Sequence, residues 1–142
     1  VKIAADIFGR VPLNRADVIG QRMEGLDEVV DIICPMAYPS HYWTKKMQHN
    51  PYDTVYMTAK EADNRTKKAE IVAYIQAFKM KMPSNISFEK YVQEQIRAVH
   101  DANVKGFILW NARQDYIEPL RASREYYEKN KTAGNSTQKN VM

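Results

Sequence analysis

The chain has 142 residues, 44% of them hydrophobic and 27% charged; that suits one ordinary domain, or a piece of a larger one, with a real core, and excludes wholesale disorder. No run approaches the ~20 apolar residues of a membrane-spanning helix, and no signal-peptide pattern opens the sequence. The net charge of +4, from 21 Lys+Arg against 17 Asp+Glu, is mild and scattered, whereas a nucleic-acid surface gathers its charge into a stripe among stacking aromatics, so nucleic acid is not an expected partner.

The chain opens at Val1 directly in strand-like sequence, which reads as a processed chain or a fragment whose N-terminal part is missing. The first apolar run is Lys2–Phe8 (KIAADIF), closed by Gly9. A short helix interrupted by Gly20 and Gly25 is expected between Asp17 and Glu28. The second run is Val29–Tyr38 (VVDIICPMAY), and it holds the one cysteine, Cys34. A lone cysteine excludes an internal disulfide and a multi-cysteine metal site, and in apolar surroundings it reads as a buried, inert thiol. A helix from about Asp53 to Ala69 leads to the third run, Ile71–Phe78 (IVAYIQAF).

The clearest helix follows Ser87, a good N-cap. Phe88, Tyr91, Val92, Ile96 and Val99 then recur at three- and four-residue steps and form one apolar stripe. Asn103 and Gly106, types that tolerate the left-handed conformation past helix ends, bracket the exit into the fourth run, Gly106–Ala112 (GFILWNA). A last helix is expected from Ile117 to Glu128. Residues 129–142 lose aromatics and periodicity together and read as a flexible polar tail.

Continuous apolar runs without alternation point to strands of a parallel sheet covered on both faces. Strand followed by helix, four times over at 30–40-residue spacing, fits four βα units, half of an eightfold (β/α) TIM-type barrel of ~250 residues. A doubly wound open sheet is the competing architecture, but ADIFGRVP lacks the glycine-rich phosphate turn expected after its first strand. The predicted organisation is therefore a partial (β/α) barrel over 1–128 and the tail over 129–142.

Each apolar run ends in a hydrogen-bonding group: Asp6 in ADIFG; Tyr38, His41 and Tyr42 in PMAYPSHY; Gln76 in YIQAF; Trp110 and Asn111 in LWN. In a (β/α) barrel that end of the strands carries the active site. Carboxylate, amide and imidazole groups suit the hydroxyls of a sugar, and indole and phenol rings suit its C–H faces. Bland alternatives stand beside each. Asp6 could cap a turn, His41 could be a surface histidine, and Tyr38, Tyr42 and Trp110 could be packing aromatics. Gln76 lies in an otherwise apolar strand and must either have partners or face a polar site, because an unpaired buried amide costs about 1–3 kcal/mol.

Taken in order, ADIFG, PMAYPSHY, YIQAF and LWN resemble a glycosyl hydrolase-like domain family of bacterial TIM barrels, in which the segments read like sADvFG, PMvYPSHY, WLQaF and GwmLWN. The resemblance spans Ala4 to Asn111, and PMAYPSHY is its most specific element. It implies strands five to eight of a barrel, a glycoside hydrolase acting on a polysaccharide, and an exported or cell-envelope location. The residues themselves imply no metal and no organic cofactor, since His41 and Asp6 come from different strands and no third ligand is evident. The sequence departs from the family at Tyr74, where WLQ becomes YIQ, and after PSHY, where YWTKKMQHNPYDTV replaces a glycine-rich loop. Glycoside hydrolysis ordinarily uses two carboxyl groups. Asp6 is the one found at a strand end, so it is expected to act as general acid/base or electrostatic stabiliser. Its partner would come from a preceding half-barrel, without which this chain is expected to be inactive. A non-catalytic carbohydrate-binding or degenerate barrel is the alternative. The open sheet edges of a half-barrel would invite self-association.

Overall fold

A computed structural model describes residues 1–16 and 18–137. Four parallel strands, β1 (Ala4–Phe8), β2 (Ile32–Ala37), β3 (Glu70–Gln76) and β4 (Gly106–Trp110), form one sheet in the order β1-β2-β3-β4. The helices are α1 (Met23–Asp27), α2 (Lys45–His49), α3 (Pro51–Asn64), α4 (Phe88–Ala102) and α5 (Ile117–Thr137). The spatial order repeats the chain order with no reversal, so the sheet lacks the switch point of a doubly wound fold. What the structure shows is a parallel α/β arrangement of βα units.

When every crossover in a parallel sheet has the same hand and the strands add in sequence order, all the connecting helices land on one face. The core lies on that face. Ala37, Ala73 and Ile75 pack with Val55 of α3, Phe88, Val92, Ile96 and Val99 of α4, and Ala122 of α5. Ile7, Ile33 and Ile71 form a second cluster with Val11, Met23 and Ala62. Side chains of the opposite parity emerge on the other face. There Phe8 is 52%, Ile108 38% and Trp110 43% exposed, and Asp6 is exposed beside them. The expectation of cover on both faces is therefore met on one face only among the described residues.

Local contacts explain the element boundaries. Pro51 opens α3 at a position where its missing N–H costs nothing. The helix was expected to reach Ala69 but stops at Asn64. The N–H groups of Lys67, Lys68 and Ala69 are instead taken by the Asp27 carboxylate at 2.9, 3.0 and 2.8 Å, so they cannot continue the helical ladder. Arg65, buried at the helix end, donates to both Glu24 oxygens and to the carbonyls of Val11 and Pro12. The α4 stripe is buried throughout, Ser87 accepts from Lys90 N, and Asn103 is left-handed at φ 57°. Helix α5 runs nine residues past the expected Glu128 to Thr137, through much of the segment read as a tail; residues 138–142 lie outside the described residues.

Candidate functional site

After β2 the chain enters a single 3-10 turn, Pro39–His41, closed by His41 N donating to Tyr38 O at 2.9 Å. Gln76, at the end of β3, holds this turn. Its Oε1 accepts from Ser40 N at 3.0 Å, and its Nε2 donates to Phe78 O and Met80 O, each at 3.0 Å. Gln95 of α4 in turn bonds both the N–H and the C=O of Gln76. Asn111 does the same service after β4. Its Nδ2 donates to Ala77 O at 2.7 Å and Asp115 O at 2.8 Å, and its Oδ1 accepts from Arg113 N at 2.9 Å. Both amides have their hydrogen-bonding capacity engaged, and Gln76 has zero exposure. Of the two alternatives for Gln76, partners describe it, and the loops after β2, β3 and β4 are pinned to one another through amide side chains.

Tyr42 is also buried. Its hydroxyl donates to Gly9 O at 2.9 Å and lies 2.5 Å from Thr58 Oγ1, which joins the loops after β1 and β2 to α3. A Cβ on Gly9 would sit 2.4 Å from Met36 O and 2.5 Å from the Tyr42 hydroxyl, so glycine is required where these two loops meet.

On this framework opens a cavity of about 430 Å³, lined by Tyr38, His41, Phe78, Trp110, Asn111 and Asp115 among others. That volume lies within the ~300–1,000 Å³ of small-molecule sites. Tyr38, His41 and Phe78 meet edge to face with centroids 5.5–6.0 Å apart, and Trp110 stands edge-on to Tyr74 at 6.2 Å. Among the described residues no fully buried polar side-chain atom lacks a partner, and the Tyr38 hydroxyl, which has none there, therefore keeps some exposure to solvent. Burial, aided by the nearby Tyr74 and Asp6, raises the Tyr38 pKa and keeps the phenol a donor. His41 Nδ1 lies 2.9 Å from Ser40 Oγ, and burial, with Lys81 nearby, lowers the imidazole pKa and favours its neutral form.

Four of the seven predicted residues, Tyr38, His41, Trp110 and Asn111, thus border one cavity. Gln76 lies beneath it. Tyr42 borders a second cavity of about 540 Å³, with Phe8, Gly9, Arg10 and Met36, and this cavity shares Tyr38 and His41 with the first. Asp6 borders neither. It pairs with Cys34 in the register, two residues below the tip of β1. Its carboxylate has no partner among the described residues, and its charge reaches Tyr38, Tyr74 and Cys34, whose pKa values it helps to raise.

Sequence reasoning missed two acidic groups at the first cavity, Asp115 on the loop after β4 and Glu118 in the first turn of α5. Glu118 is held by Lys79 at 2.7 Å. The signal was present in NARQD, since an asparagine whose side chain caps the backbone two and four residues on carries Asp115 inward. Among the described residues, no group of three His, Cys, Asp or Glu side chains could hold a metal ion, and no helix is long and apolar enough to cross a membrane.

Parallel strands in sequence order, with an aromatic-lined cleft at their C-terminal ends, define the class: an α/β protein whose site is assembled from the loops that follow the strands. Within it, the chain belongs to the family described as "putative glycosyl hydrolase domain", whose model matches residues 1–116. No curated protein and no solved structure matches the chain.

Proposed function

We propose that the chain forms half of a (β/α)8 barrel that hydrolyses glycosidic bonds in a polysaccharide. The observation that carries this is the cleft of Tyr38, His41 and Trp110 at the C-terminal strand ends, inside the family-matched residues. Strands in chain order with helices on one face support the barrel, because the face bearing Asp6, Phe8, Ile108 and Trp110 is the one a closed barrel turns inward. Trp110 and Tyr38 offer ring surface to sugar C–H groups, while the Tyr38 hydroxyl and the neutral His41 imidazole bond its hydroxyls. Gln76, Asn111 and Tyr42 act on the ligand through the loops they hold.

Asp6 is the general acid/base or electrostatic stabiliser in this reading, and its partner carboxylate comes from the strand that precedes β1 in the complete barrel. The test is release of reducing ends from polysaccharide by the complete barrel carrying Asp6→Asn or Asp115→Asn. Asp6→Asn should lower kcat by about 100-fold or more with sugar binding kept, and Asp115→Asn should lower it far less. Full activity in Asp6→Asn removes Asp6 from the mechanism.

One observation favours a second reading, a carbohydrate-binding domain without turnover. Asp6 stands outside both cavities, and Glu118 at the first is occupied by Lys79. Under that reading Asp6→Asn leaves every measurable property of sugar binding unchanged and no reducing ends appear.

A further inference from the structure

The turn after β2 is flanked on both sides. The loops after β3 and β4 close the first cavity against it, and the end of β1 closes the second, so Tyr38 and His41 are the wall common to two cavities of about 430 and 540 Å³. Hydrogen bonds tie this wall to its surroundings. Ser40 N is fixed by Gln76, Ser40 Oγ meets His41 Nδ1, and Tyr42 is anchored to Gly9 and Thr58. The compartments differ chemically. The first carries Lys79, Arg113, Asp115 and Glu118 around Trp110, and the second is mainly apolar, with Phe8 and Met36 and one charged side chain, Arg10.

We propose that this is a two-compartment sugar site in which Tyr38 and His41 form the ridge between adjacent rings. One ring packs on Trp110, the next packs on Phe8, and the linking oxygen crosses the ridge. The inference rests on the carbohydrate reading and adds that the minimal ligand is a disaccharide unit whose ring on the Phe8 side presents an apolar face. The open Tyr38 hydroxyl and the outward His41 ring then face the linkage.

The test is binding of length series of one to six units, from β-1,4-linked glucose, β-1,4-linked N-acetylglucosamine and β-1,6-linked N-acetylglucosamine, to the wild-type chain and to Phe8→Ala, Phe8→Trp and Trp110→Ala. Phe8 is half exposed, so its replacement leaves the core intact. In at least one series affinity should rise about tenfold or more from one unit to two. Phe8→Ala should abolish that rise without changing monosaccharide binding, Phe8→Trp should retain it, and Trp110→Ala should weaken every length. Affinity that is already full at one unit, or a Phe8→Ala series parallel to wild type, overturns the two-compartment site while leaving the carbohydrate reading standing. Absence of binding in all three series overturns both.

Discussion

Gly9 is a single residue on which the geometry of the site depends. A methyl group there meets a backbone carbonyl, which cannot turn aside, as well as the Tyr42 hydroxyl. Gly9→Ala should therefore cost about 1–3 kcal/mol in urea unfolding, and adding Tyr42→Phe should not restore the loss, because Met36 O remains in the way. If the double variant recovers wild-type stability, the clash is with the phenol alone. His41 gives a second prediction at this scale. Its pKa is lowered from the ordinary ~6.5, so the neutral imidazole persists at neutral pH and is lost as pH falls through the lowered value. Sugar affinity that depends on neutral His41 should hold at pH 7, fall on the acid side, and become flat in His41→Gln when measured by titration across that range. A decline that survives His41→Gln assigns the pH dependence to another group.

The elements differ in how plainly they could be read. Helix α4 was legible because the Ser87 cap, the apolar stripe and the left-handed Asn103 lie within twenty residues of one another, and all the information is local. Ser87→Ala should cost ~1 kcal/mol by thermal or urea unfolding; no change would mean that Lys90 N finds water equally well. The end of α3 was illegible because Asp27, forty residues upstream of its partners, decides it. Burial pushes the Asp27 pKa up, but three backbone N–H bonds pull harder and leave it lowered. A carboxyl group with a lowered folded pKa contributes stability above its ordinary ~3.9 that disappears as pH falls through the folded value. Asp27→Ala should remove that acid dependence and cost about 3 kcal/mol or more by leaving backbone donors unsatisfied. The same distinction divides the candidate site. Strand-end positions for Tyr38, His41 and Trp110 followed from local pattern. The inward turn of Gln76 and Asn111 into the loops, and the delivery of Asp115, depend on contacts between segments that only the fold brings together.

At the scale of the molecule, the sheet carries helices on one face and shows Phe8, Ile108 and Trp110 on the other, with β1 and β4 as its edges. Apolar side chains on an open face between unpaired edges favour pairing with further strands, whether of a completing half-barrel or of a second copy. Sedimentation of this chain alone should show concentration-dependent association, and a monomer at high concentration would count against that expectation. The site depends on the same architecture, since Tyr38, His41, Phe78, Trp110 and Asp115 each end a strand or follow one at the C-terminal end of the sheet. The opposite end offers a contrasting hollow lined by Lys2, Asp27, Asp31 and Glu70. Backbone amide chemical-shift mapping with the best-binding oligosaccharide separates the two ends most directly. A sugar site at the C-terminal strand ends gives shifts at Tyr38–Tyr42, Ala77–Met80 and Trp110–Asp115. Shifts confined to Lys2, Val29–Asp31 and Lys68–Glu70 would contradict it.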